Sequence, residues 1–167
     1  MTMETLLATL LLVVLAVIST TYATTSVYCI TADDQSCPPH QICHNLSYYI
    51  SHSDIFTSNT TIIFLEGEHK LDREDLVHIS DVHNLTLKGQ GQWPVAGAEE
   101  TVMQSTVIIN CTRGRGGFHF STSHSITVEG LTVTNCGGLV QYTAAVFNFD
   151  RVYGINFHKN SIQHMTG

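Results

Sequence analysis

The sequence predicts an all-β fold built as a solenoid, with one coil per repeat. Three observations carry that prediction. Asn110, Asn135 and Asn160 stand 25 residues apart, and the first two open the same dipeptide, Asn-Cys. Each closes a short apolar stretch, as in Val107-Ile108-Ile109 and Leu131-Thr132-Val133. The intervening residues are strand and turn formers without a helical period. A fixed interval of about 20 to 50 residues marks a stacked repeat. A strand-rich unit makes that stack a β-solenoid.

The elements follow in order. Leu6 to Ile18 is an apolar run broken only by Thr9, and Thr21-Tyr22-Ala23 suits signal peptidase. The run is shorter than the roughly 20 residues a membrane span needs, so residues 1–23 read as a cleaved secretory signal. Its n-region holds Glu4 and no Lys or Arg, and a retained anchor is the alternative. Any membrane contact is expected through this segment alone.

Residues 24–58 read as an opening strand, a proline turn and a cap helix. Val27 to Ile30 suits the strand, and Pro38 and Pro39 bend the turn. Leu46, Tyr49 and Ile50 fall at i, i+3 and i+4, which predicts a short amphipathic helix from Asn45 to His52 with Asn45 as N-cap. The open end of a solenoid exposes strand edges, and a polar-faced helix is the expected lid.

Residues 59–167 read as coils, roughly three to four of them. Thr60 to Leu65 is the strongest strand. His69–Leu71, Val77–Ile79, Asn84–Lys88, Thr106–Asn110 and Phe118–Phe120 follow. Ser125–Glu129, Gly130 and Leu131–Thr134 form a strand–glycine–strand unit, which Val152 to Phe157 repeats around Gly154. Ile126, Val128, Leu131 and Val133 are expected to point inward. Asn tolerates left-handed turns, and its amide both donates and accepts. Asn110, Asn135 and Asn160 are therefore expected to stack as a ladder at one corner. A β-sandwich is the rival fold, but it gives no reason for the spacing.

Five cysteines in an exported chain are an odd number. Cys37 and Cys43 enclose the proline turn and are the expected bridge. Cys111 and Cys136 share a repeat position, and adjacent strands about 4.8 Å apart suit a disulfide. A reduced ladder of the two is the alternative, and Cys29 is left to exchange with Cys37, Cys43 or another chain. Asn45, Asn59, Asn84 and Asn110 open Asn-x-Ser/Thr sequons and are candidates for N-glycosylation.

Charge narrows the function classes. The formal net charge is −7, and −6 once Glu4 leaves with the signal. Nucleic acid would need clustered Lys and Arg. The one basic cluster is Arg113-Gly114-Arg115. Ten histidines show no ligand spacing on one element that a second pair completes, so no metal or other cofactor is expected. The best recognition surface is the loop from Gln90 to Glu100, where Trp93 either pins the loop to the core or stacks on a sugar, with Arg113 and Arg115 near the same edge.

Three segments together resemble a known family: Asn84-Leu-Thr-Leu-Lys-Gly-Gln-Gly91, Thr106-Val-Ile-Ile-Asn-Cys111, and Ser125-Ile-Thr-Val-Glu-Gly-Leu-Thr-Val-Thr-Asn-Cys136. They resemble the right-handed parallel β-helix of the pectate-lyase-like superfamily. More closely, they are similar to secreted β-helix repeat proteins of simple animals. The resemblance spans roughly residues 26–167. It implies a right-handed parallel β-helix with the asparagines at its tight second turn. Such proteins stack more coils, so the C-terminal end reads as truncated, with further coils in a longer chain. Enzymes of the superfamily cleave acidic polysaccharides, through calcium-binding carboxylates with a basic residue or through paired aspartates. No such hydrolase pattern appears among the repeats, and no catalytic residue is assigned. The expectation is a non-catalytic extracellular module for glycan or protein binding. The alternative is the N-terminal part of a polysaccharide lyase or hydrolase.

Overall fold

The structure is a computed structural model that describes residues 25–32, 37, 43–52, 55–71, 76–91, 106–111, 117–136 and 147–163. Residues 1–23, read above as a secretory signal, Pro38 and Pro39, Trp93, and Arg113 and Arg115 lie outside the described residues.

The all-β class holds. The strands are β1 (Ser26–Thr31), β2 (Cys43–Asn45), β3 (Thr60–Phe64), β4 (Gly67–Lys70), β5 (Leu76–Ser80), β6 (His83–Gly89) and β7 (Val107–Asn110). They continue as β8 (Gly117–Ser121), β9 (His124–Glu129), β10 (Thr132–Thr134), β11 (Phe147–Asp150), β12 (Tyr153–His158) and β13 (Ser161–Gln163). They form three separate sheets, ordered β12-β9-β6-β3-β1-β2, β13-β10-β7-β4 and β11-β8-β5. Every pairing is parallel. From β3 onward the chain visits the first, second and third sheets in fixed rotation.

Alternation of side chains explains the core. In β3 the buried positions are Thr60, Ile62 and Phe64, with Thr61 and Ile63 between them. The same alternation in β6, β7 and β9 buries Leu85 and Leu87, Val107 and Ile109, and Ile126 and Val128. These join Ile79, Phe118, Phe120, Leu131 and Val133 in one hydrophobic cluster shared by all three sheets. Register stacks like on like: Phe118 lies on Phe147 with centroids 5.4 Å apart, and Phe120 on Phe149 at 5.1 Å. Such aromatic pairs add about 0.5–1.5 kcal/mol beyond area burial.

The helix α1 runs Leu46–Ser51. Asn45 caps it, its side-chain oxygen accepting from the Tyr48 N–H at 2.9 Å. Leu46 and Tyr49 face inward, as their spacing predicts. Burial raises the Tyr49 hydroxyl above its ordinary range. The exposed face carries a stack in which Tyr48 lies 3.8 Å from His44 and 4.2 Å from His52.

Disulfides join Cys37 to Cys43 and Cys111 to Cys136. The Cα atoms of Cys111 and Cys136 are 4.8 Å apart, which is the spacing of neighbouring strands. Cys29 joins neither bridge. It is buried in β1, in register with Cys43, and burial pushes its thiol pKa up.

The unit around Gly154 needs correction. Gly154 does not separate two strands. It lies within β12, which pairs along its length with β9, and its counterpart there is Ser125.

Candidate functional site

Two corners of the stack carry ordered polar residues. The first follows β7 and β10. Asn135 has φ of 55°, a left-handed value that Asn accepts at lower cost than most residues. Its amide nitrogen donates to the Asn110 side-chain oxygen at 3.1 Å. Asn110 in turn donates to Glu68 of β4. The ladder therefore joins two of the three expected asparagines and ends on a carboxylate.

Asn160 is not part of it. It precedes β13, where its oxygen accepts from the Leu131 N–H at 3.0 Å and its nitrogen donates to the Val128 carbonyl at 2.8 Å. The cause is turn length. The neighbour of Asn160 in the previous turn lies 29 residues back, whereas Asn110 and Asn135 are 25 apart. A constant interval of 25 thus slips by four residues and lands on the opposite end of the strand.

Asn135→Ala is expected to cost about 1–2 kcal/mol in urea denaturation, from the lost hydrogen bond and the left-handed backbone. Asn110→Ala should couple with it in a double-mutant cycle, and Asn160→Ala should add independently. Coupling of Asn160 with Asn135 would restore the three-member ladder.

The second corner joins the third sheet to the first. Asn59, Asn84, Ser125 and Gly154 immediately precede residues that align across β3, β6, β9 and β12. All four have positive φ, between 54° and 67°. Asn84 donates to Asn59 at 3.0 Å, making a second asparagine pair. One residue earlier, Ser58 lies beside His83, with the Ser58 hydroxyl 2.9 Å from Nδ1 of the ring. His83 stacks on His124 at 5.2 Å with planes 9° apart, and Tyr153 is next in register. On the other side of the turn, His78 of β5 lies beside His119 of β8, rings 5.4 Å apart and tilted by 58°. Asn148 follows them in register.

These four histidines are paired across strands, not scattered. Sequence reading missed them, although a signal was present. His78 and His83 are five apart, as are His119 and His124, and the two pairs are offset by 41 residues. No group of three or more His, Cys, Asp or Glu side chains able to hold a metal occurs among the described residues.

The sequons enter the same networks. Asn59 and Asn84 bond to each other, and Asn110 to Asn135 and Glu68. A glycan attaches to the amide nitrogen, which Asn84 and Asn110 use within the fold. Asn45 spends its oxygen on the helix cap.

Carboxylates are dispersed across the strands. Glu129 lies between Lys88 and His158 in register, and Lys159 is 3.6 Å away. Asp150 is in register with Ser121, and Asp81 accepts from Thr122. Glu66 and Glu68 are two residues apart at the start of β4. Thr106 donates to Glu66 at 3.2 Å, and Asn110 donates to Glu68.

The outer face of the first sheet is regular. Thr61, Thr86, Thr127 and Asn156 align on successive strands β3, β6, β9 and β12. The candidate loop residues Trp93, Arg113 and Arg115 lie outside the described residues. No protein-family model, curated protein or solved structure matches this chain.

Proposed function

We propose that the chain is a right-handed parallel β-helix of the pectate-lyase-like kind, secreted, that binds an extracellular glycan without catalysis. It would serve as part of a larger adhesive ectodomain. One observation carries the reading: the Thr61–Thr86–Thr127–Asn156 column on the first sheet. Neighbouring strands are about 4.8 Å apart, so hydroxyl and amide groups recur at that interval along a polar column, half-buried at the threonines and exposed at Asn156. A repeating polyhydroxyl polymer presents hydrogen-bonding groups in the same recurring way. The cyclic visit to three parallel sheets around one core supports the β-helix. The two disulfides fit an oxidising compartment, and four sequons and the leader segment agree with it.

Binding to an array of extracellular glycans is the test. Thr86→Val and Thr127→Val together should weaken binding about tenfold or more, since each lost hydrogen bond is worth about 0.5–1.5 kcal/mol. Stability should change little, because both side chains lie on the outer face. Binding unchanged by the pair, or retention only of a protein ligand, would sink the glycan reading.

The alternative is the N-terminal part of a polysaccharide lyase or hydrolase, favoured by the closely spaced Glu66 and Glu68. Turnover of acidic polysaccharides that disappears in Glu66→Gln and Glu68→Gln would establish it.

A further inference from the structure

We propose that His78 and His119 form a clamp for a borderline divalent transition-metal cation, with zinc as the reference ion. The two lie in register on adjacent strands β5 and β8. His78 is exposed and His119 half-buried, so an ion can approach from solvent. Neither imidazole has a hydrogen-bond partner among the described residues.

Geometry separates this pair from the other. A zinc–nitrogen bond of about 2.0–2.1 Å puts a ligating ring centroid about 3.2 Å from the ion. Two such rings at a tetrahedral angle then have centroids about 5.2 Å apart. The ring centroids of His78 and His119 are 5.4 Å apart and the planes tilted by 58°, so modest rotation about their side-chain bonds aims one nitrogen lone pair of each at a common point. His83 and His124 have a similar separation, 5.2 Å, but their planes differ by only 9°. Face-to-face rings hold their lone pairs in two nearly parallel planes, and no single ion lies in both.

Imidazole selects Zn, Cu and Ni over Mg and Ca, which prefer oxygen. Asn148, next in the column, offers only an amide oxygen, so water fills the remaining positions. The clamp therefore stays open on one side. A bound ion would cross-link β5 to β8, segments separated by a long connection in the chain.

Calorimetric titration of zinc chloride into the folded chain should show one ion bound per chain at this site. His78→Gln or His119→Gln should each weaken it at least tenfold, since loss of even an outer-shell partner costs about 10–100-fold. The double variant His83→Gln/His124→Gln should bind zinc within twofold of the parent, and magnesium should not bind. Zinc should also raise the melting temperature of the parent and not of His78→Gln, with circular dichroism confirming that the variants fold. No zinc event, an event unaffected by His78→Gln and His119→Gln, or an equal loss in the His83/His124 variant would each overturn the clamp.

Discussion

Gly89→Ala should lower stability by about 3 kcal/mol or more, at the upper end of overpacking costs. Gly89 is buried at the end of β6. A Cβ there would run into the carbonyl oxygen of Gly130 and lie 2.8 Å from its carbon. It would also lie 3.2 Å from Leu131 Cδ2. The obstacle is backbone, so no side-chain rotation relieves it. β6 and β9 would have to separate where the first sheet turns toward the second, loosening the packing of Leu87, Val128 and Leu131. Two other glycines calibrate the effect. At Gly154 the added Cβ meets only ordinary contacts at 3.4 Å and beyond, but φ is +67°, so Gly154→Ala should cost about 1–2 kcal/mol. At Gly91 the nearest atom is Thr106 Oγ1 at 3.7 Å, and Gly91→Ala should be close to neutral. Urea denaturation of the three variants gives the order. Equal midpoints for Gly89→Ala and Gly91→Ala would show that the strands do not approach so closely.

The strands and the helix were legible because their periods are local. Thr60 to Phe64 and His124 to Glu129 alternate, and Leu46, Tyr49 and Ile50 mark one helical face. Burial of Ile126, Val128, Leu131 and Val133 followed from the same alternation. The nearness of Cys111 and Cys136 followed from a shared repeat position, and the structure decides for the bridge over the reduced ladder. Long-range register was less legible. Turn length varies, with in-register or bonded neighbours 25, 41 and 29 residues apart in successive turns. A constant interval therefore placed Asn110 and Asn135 together and misplaced Asn160. The second corner was hidden for a different reason. Its requirement is a left-handed backbone, which Asn59 and Asn84 meet with an amide, Ser125 with a hydroxyl and Gly154 with no side chain. Identity repeats only from Asn59 to Asn84, although conformation repeats at all four positions. The histidine pairs were hidden by the 41-residue turn, whose extra length separates His78 and His83 from His119 and His124 in sequence.

The amides of β11, β12 and β13 are expected to exchange much faster than those of β6 and β9, and the chain is expected to associate as its concentration rises. Among the described residues each of these three strands is the last in its sheet, so each has one row of backbone groups that faces no further strand there. The inward-facing positions show the same imbalance. Ile126, Val128 and Val133 are fully buried, while their register partners Ile155, Phe157 and Ile162 are 42%, 40% and 50% exposed. Full burial of such side chains stabilises by about 1.5–3 kcal/mol each, and this end forgoes much of it. The opposite end differs, because β1, β2 and α1 lie over β3 and the core beneath it. Local opening should therefore cost little at β11 to β13 and approach the global unfolding energy at β6 and β9. Any strand added in the same register would pair an edge, and one on each sheet would cover Ile155, Phe157 and Ile162 together. Phe157→Glu should reduce association of residues 24–167, since a charge on an apolar edge opposes pairing. Hydrogen exchange and light scattering on that segment are the measurements. A monodisperse monomer with equal protection at residues 147–163 and 124–134 would show that this end needs no cover.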